Sequence, residues 1–517
     1  MATITKLKIH PSIGVARIGN HPTEFFTGPE VPNGFIKADE IDGFKTEDAA
    51  DANILKIKRQ GARFRVFAYF DDGTVAELNS DNAEITWRVK IANTKARSEI
   101  FHEVEKIPRP HPSRNDFVEN EIDRKGLGLE PKEINISGNN GSQVFEKVKF
   151  SVKETTGEIL SSKEFSLGEC KTDEKGRLIV LGGIGNTGSV KKVQLTNYAN
   201  NDYWYDDIAD GYVKASVKIK ETGESLEALD AWVLCVPPKY VPQLRTIVTL
   251  YDTLLNKHLE DSLIQAEAIP KFYRDIFPII NSANAIPQLQ QISGHRTLAR
   301  LLLPDSLLSH RERLYDRLRQ TDGTGGDMPK MFGDKYDTTK RTDRFSLTKH
   351  QLEILRSWKD GSVEIDDVLN SEPGTEITPE GLTQAALENC MGGAFYPGIE
   401  ANWFLRDRYK FVEPFRLDSS QIKPGDITKQ MALPWQADFR DCRKEETDEG
   451  FVAWWVFARP DEVRFEGATT MHQWVPNNDF KEFEDMVEKW SKLGFIVEKD
   501  GKYVEVQRQI PPNPPAV

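Results

Sequence analysis

Apolar and polar residues alternate along much of the first 245 positions. Arg63 to Phe70 alternates and runs into Asp71-Asp72-Gly73, a turn signal followed by another short run, which predicts a hairpin. Ile85 to Ile91, Val144 to Val152, Arg177 to Leu181 and Val213 to Ile219 alternate in the same way, with Gly, Asn or Asp between them. Trp232 to Pro238 reads as a buried strand that ends at a double proline. The period then changes. From Pro242 to about Ala268 apolar residues recur at helical spacing, and Phe480, Phe483, Met486, Val487 and Trp490 form a stripe on a second helix over Asp479 to Leu493. A closing hairpin is expected through Asp500-Gly501. The pattern predicts an α+β chain: a β-rich amino-terminal half, residues 1–245, and a mainly helical carboxy-terminal half, residues 246–517.

One stretch in the second half carries more than packing. Thr378 can cap a helix, Pro379 suits its first turn, and Gly392-Gly393 can stop it just after Cys390. Leu382, Ala386 and Cys390 are four apart and share one face, so the helix delivers a thiol to a glycine-rich bend. A buried cysteine by itself is a small apolar residue. Two loops of the first half are read as structural. Leu181 to Asn186 is glycine-rich but opens no helix, so a dinucleotide fingerprint fails. Asn200 to Asp207 is acidic and aromatic but lacks the ligand spacing of a calcium loop.

At 517 residues the chain exceeds one ordinary core, and 38% hydrophobic with 29% charged residues is the composition of a soluble globular protein. A net charge of −13 argues against nucleic acid or an anionic membrane as partner. The first residues lack the apolar centre of a signal peptide and no run approaches a membrane span, so a cytoplasmic location, or export by a non-classical route, is expected. Cys170, Cys235, Cys390 and Cys442 show no Cys-x-x-Cys pairing, against a zinc or thioredoxin-type site.

Further segments change the reading of Cys390. Pro434-Trp435-Gln436-Ala437-Asp438-Phe439 precedes Ala453-Trp454-Trp455-Val456-Phe457-Ala458-Arg459-Pro460-Asp461. With the Cys390 helix running into Gly392 to Glu400, and with Ile9 to Asn20 and Phe25 to Glu30 near the start, they resemble the lysine ε-oxidase and glycine oxidase family. The resemblance implies cysteine tryptophylquinone, a cofactor made from the protein's own Cys and Trp. It implies oxidative deamination of a primary amine, here an amino acid, with dioxygen as acceptor and an oxo product, ammonia and hydrogen peroxide released. A flavoprotein maturation partner and a homo-oligomer are implied on the same ground.

Cys390 would be the sulfur donor. Trp454 and Trp455 would face opposite sides of a strand, so only one can reach it, and the family's spacing points to Trp455 ahead of Trp454, with Trp435 and Trp403 behind. Acid and base candidates are Asp438, Glu400 and Glu388, with His472 more distant; substrate-side candidates are Arg459, Phe404 and Tyr396. Arg459 could hold a substrate carboxylate or pair with Asp461.

Two departures qualify the resemblance. The family usually carries an Asp one turn before the cofactor Cys, associated with making the quinone; here that position is Ala386, and Glu388 points about 160° from Cys390 at ~3.6 residues per turn. Phe404 stands where the lysine-specific relative has a polar, cationic group, favouring a smaller or less polar side chain and oxidation at the α-amino group over lysine's ε-amine. Ala386 also motivates the alternative of a catalytically silent scaffold or binding protein that keeps the family fold.

Overall fold

The structure is a computed structural model that describes residues 2–98, 114–289, 301–333, 340–366, 376–392, 402–441 and 457–511. The amino-terminal half is β-rich, as its alternation predicts. A large sheet runs through Ser142–Val144, Gly168–Thr172, Leu178–Gly182, Arg59–Phe70, Ile13–Arg17, Ala231–Val236, Ala209–Ile219, Ala83–Ala92 and Ile134–Ser137. The Asp72-Gly73 turn folds Arg59–Phe70 back onto Val75–Leu78, Gly73 taking a φ of 85° that glycine adopts without strain. Val144 to Val152 departs from its prediction: it is two short strands, Ser142–Val144 and Ser151–Lys153, in different sheets.

At the centre lie Ile13–Arg17 and Ala231–Val236, paired in parallel from Trp232 opposite Ile13 to Val236 opposite Arg17. Both are buried along their whole length. Successive side chains leave a strand on opposite faces. Ile13, Val15, Trp232, Leu234 and Val236 therefore enter one apolar core together with Cys390 and Met391. Ala16, Val233 and Cys235 enter a second core, together with Cys170.

The carboxy-terminal half is mixed rather than mainly helical. Its helices include Leu250–Glu260, Lys349–Lys359, Pro379–Glu388, Trp435–Asp441 and Phe483–Lys489. Two-stranded ribbons join them, among them Phe495–Lys499 with Lys502–Val506 through the predicted Asp500-Gly501 turn. The helix expected from Pro242 begins only at Leu250. Leu250 N–H donates to the Cys390 carbonyl (3.1 Å) and Gly392 N–H to the Val248 carbonyl (2.9 Å), so residues 248–250 are extended against 390–392. A capping box between Thr249 and Asp252 then starts the helix. Among the described residues no helix is long and apolar enough to cross a membrane.

Candidate functional site

The helix before Cys390 forms where its signals place it, over Pro379–Glu388, with Thr378 Oγ1 accepting from Gly381 N–H (3.1 Å). Asn389 is its C-cap, and Asn389 Nδ2 donates to the Ala385 carbonyl (3.0 Å). Cys390 thus stands just beyond the helix, with 1% of its surface exposed. The next residue but one has to be glycine: a Cβ on Gly392 would lie 2.0 Å from the Thr249 carbonyl oxygen.

The amino-terminal motif clasps this helix. Ser12 N–H donates to Thr383 Oγ1 (2.9 Å), and Ser12 Oγ donates to the Phe415 carbonyl (2.6 Å). Arg17, at the end of the central strand, sends its buried guanidinium to the thiol's surroundings. Nη1 donates to the Pro237 carbonyl (2.9 Å) and Nη2 to the Asn389 carbonyl (2.8 Å), with Nη2 3.9 Å from Cys390 Sγ. The thiol itself donates to the Ala386 carbonyl at 3.7 Å. Arg17 was not among the residues singled out from sequence. The available signal was a charged residue inside the otherwise apolar run Ile13 to Ile18.

Pro237 to Tyr240 bridges to the second segment. Lys239 Nζ donates to Asn389 Oδ1 (3.4 Å), and Tyr240 N–H donates to the Ala458 carbonyl (2.9 Å). Ala458 lies three positions after Trp455 in sequence, so the chain leaving the tryptophan pair and the Cys390 turn are anchored to one four-residue segment. Trp454, Trp455, Tyr396, Glu400 and Cys442 lie outside the described residues.

Asp438 and Arg459, separate candidates in sequence, meet: Arg459 Nη1 donates to Asp438 Oδ2 at 2.6 Å, both side chains are almost wholly buried, and the guanidinium lies 5.0 Å from the Phe439 ring centre. Trp435, which opens the Asp438 helix, packs its ring edge-on against Phe439 and Trp490, and its backbone N–H donates to Asp206 Oδ2 (3.1 Å). Asp206 is in turn paired with Lys95 Nζ at 2.6 Å, and both are fully buried. The acidic loop is therefore a buried support for this helix. Its neighbour Asp207 accepts from Asn186 N–H (2.6 Å) in the glycine-rich loop, and burial pushes its carboxyl up to about 7.

Other candidates are held elsewhere. Glu388 accepts from Asn33 N–H (2.7 Å) and Gln384 Nε2 (2.8 Å) and pairs with Arg245 (3.2 Å), which locks the helix to the chain rather than to the thiol. His472 shares a hydrogen bond with Glu505 (2.8 Å) and stacks on Phe465. Ala386 borders a small space also lined by Glu30, Gln60 and Arg63. Glu30 is a carboxylate there, but Arg63 and Arg65 hold it below its ordinary range against the opposing effect of burial.

A larger cavity of about 390 Å³ is lined in part by Val248, whose carbonyl accepts from Gly392 N–H. Lys257, Arg344, Lys349 and Arg406 bring positive charge to it, Glu260 and Asp343 negative. Phe404 is buried in the core shared with Cys390, with the Lys410 ammonium 5.1 Å from its ring centre; Arg406, two residues on, is the one that lines the cavity.

Comparison with known proteins gives a consistent result. Residues 10–235 match the family model described as L-lysine epsilon oxidase N-terminal, and residues 323–456 the one described as L-lysine epsilon oxidase C-terminal domain. An L-lysine 6-oxidase of Marinomonas mediterranea is 29% identical over 537 residues, spanning 84% of this chain and 71% of the relative. The solved structure of the epsilon-lysine oxidase from that organism superposes with a TM-score of 0.76 at 23% identity, covering 97% of this chain and 95% of the other. The structure of the L-Lys epsilon-oxidase Schiff base intermediate with L-Lys, with the same coverage, gives 0.74.

Proposed function

Because the chain belongs to the L-lysine epsilon-oxidase family, an amino-acid oxidase family, we propose that it oxidatively deaminates a primary amine of an amino acid. In this reading dioxygen is the acceptor, and oxo product, ammonia and hydrogen peroxide are released by way of cysteine tryptophylquinone. The observation that carries the reading is the pair of anchors on Pro237 to Tyr240: the Cys390 turn on one side, and on the other the chain three residues past Trp455. Cys390 fits a thioether donor, being a buried thiol whose sulfur is in contact with Arg17 and with the Ala386 carbonyl. Trp455, or Trp454, would supply the ring. Once formed, the group supplies an electrophilic carbonyl for the amine and a two-electron sink.

The chain's own groups bind, orient and move protons. The cavity lined in part by Val248 is within the size range of small-molecule sites and is large enough for an amino acid. Its four cations can hold the carboxylate, and Glu260 and Asp343 a second ammonium. Asp438 is the candidate proton acceptor. Its contact with Arg459 fixes the carboxylate's direction, so the two act as one unit, and the Arg459 clamp for a substrate carboxylate would have to share its guanidinium with Asp438. Tyr396 and Glu400 remain candidates on the substrate and proton sides. A flavoprotein partner completes maturation, and the mature chain self-associates.

Intact-mass measurement and a peroxide-release screen test this. The chain matured with its partner gains about 28 Da, two ring oxygens added and four hydrogens lost, and releases peroxide from an amino acid. An unmodified mass after maturation overturns the reading. Activity on the α-amine or on lysine's ε-amine then fixes the substrate end.

A further inference from the structure

We propose that Arg17 is a positioning residue for the Cys390 sulfur, holding it and favouring its ionised form for thioether formation. This rests on the reading of Cys390 as sulfur donor. Burying a guanidinium in a strand whose five residues are all buried is costly unless its donors are used. Arg17 uses one arm on the Pro237 carbonyl and the other on that of Asn389, the residue before the cysteine. The planar fork then has one nitrogen fixed 3.9 Å from the sulfur.

A thiol reacts as the thiolate, and an adjacent cation favours that form. The S–H donates to the Ala386 carbonyl, a contact that favours the neutral thiol, so the proton passes to water and it is the Arg17 guanidinium that stabilises the charge left on the sulfur. Thioether formation breaks the S–H bond and one ring C–H bond and makes one C–S bond. Two protons depart, and two electrons pass to the flavin of the maturation partner. Arg17 also meets the carbonyl of Asn389, the C-cap of the helix, where a cation is favourable for stability alone. The test has to separate these roles.

Purified precursor is mixed with the flavoprotein and followed by intact mass, for the natural chain, Arg17→Lys and Arg17→Gln, with the melting temperature of each precursor recorded. Charge-assisted positioning predicts that Arg17→Gln acquires the mass gain at least about tenfold more slowly while its precursor stays folded, and that Arg17→Lys recovers much of the rate. Equal rates in the natural chain and Arg17→Gln overturn the proposal and leave the oxidase reading standing. No mass gain in the natural chain defeats the oxidase reading itself. Should Arg17→Gln not fold, thiolate absorbance of the natural precursor minus that of Cys390→Ser decides. Cys390 is expected to ionise at a pH where Cys170 and Cys235 remain protonated, and ionisation only alongside them overturns the proposal.

Discussion

The two faces of the central sheet each bury thiols, and they treat them in opposite ways. On one face Cys170 and Cys235 are packed among apolar side chains. Burial pushes both thiols up, Cys170 with a further contribution from Cys235 and Cys235 from Asp210 and Asp207. On the other face Cys390 is as deeply buried, but a guanidinium lies beside its sulfur, and the chain around it is pinned by that guanidinium on the Asn389 carbonyl and by the main-chain N–H groups of Leu250 and Gly392. Burial alone makes a cysteine inert, whereas a cation set next to a thiol favours its reactive form.

The sharpest way to break that contrast is to remove each sulfur in turn. Cys390→Ser is expected to abolish the mass gain and all peroxide release. Cys170→Ala and Cys235→Ala keep both and lose only about 1 kcal/mol of stability in a denaturant melt. Next in size is the Asp438–Arg459 pair. Arg459→Met leaves a carboxylate buried without this partner and is expected to cost about 3–5 kcal/mol, read as a shift of the unfolding midpoint.

The Cys235 face also makes a prediction in pH. Asp207 is protonated in the folded chain up to about 7 against an ordinary 3.8, so between those values folding has to keep a proton that the unfolded chain releases. Stability therefore falls as pH rises from about 4 to about 7, by of order a few kcal/mol. Asp207→Asn flattens that slope; Asp210, raised to about 6, supplies what remains. The smallest effect belongs to the helix that delivers Cys390: Thr378→Ala removes its cap and is expected to cost about 1 kcal/mol, lowering the melting temperature by a few degrees.

How far the sequence could be read differs between these regions for physical reasons. Strands such as Arg59–Phe70 and Ala83–Ala92 follow from alternation because a strand buried on one face repeats every two residues. The Cys390 helix follows from Thr378 and Pro379 because capping is local. The extra helical turns read from Pro242 fail because residues 248–250 bond to residues 390–392, a partnership no local pattern encodes. Ala386, read as a gap in the family pattern, borders a space with a carboxylate already claimed by two arginines. The meeting of Asp438 with Arg459, and of Arg17 with Cys390, depends on contacts across 21 and 373 positions.

The last of those separations bears on timing. A contact that closes over 373 residues is among the last that folding can make, since the sheet has to assemble and the helix has to dock before Arg17 and the sulfur share a place. Until then Cys390 is an ordinary thiol on an unfinished chain. The Arg17–Cys390 contact therefore comes into being only with the completed tertiary structure, and a misfolded or truncated polypeptide carries a sulfur that lacks its cation. On the proposed reading, completion of folding becomes the licence for covalent modification.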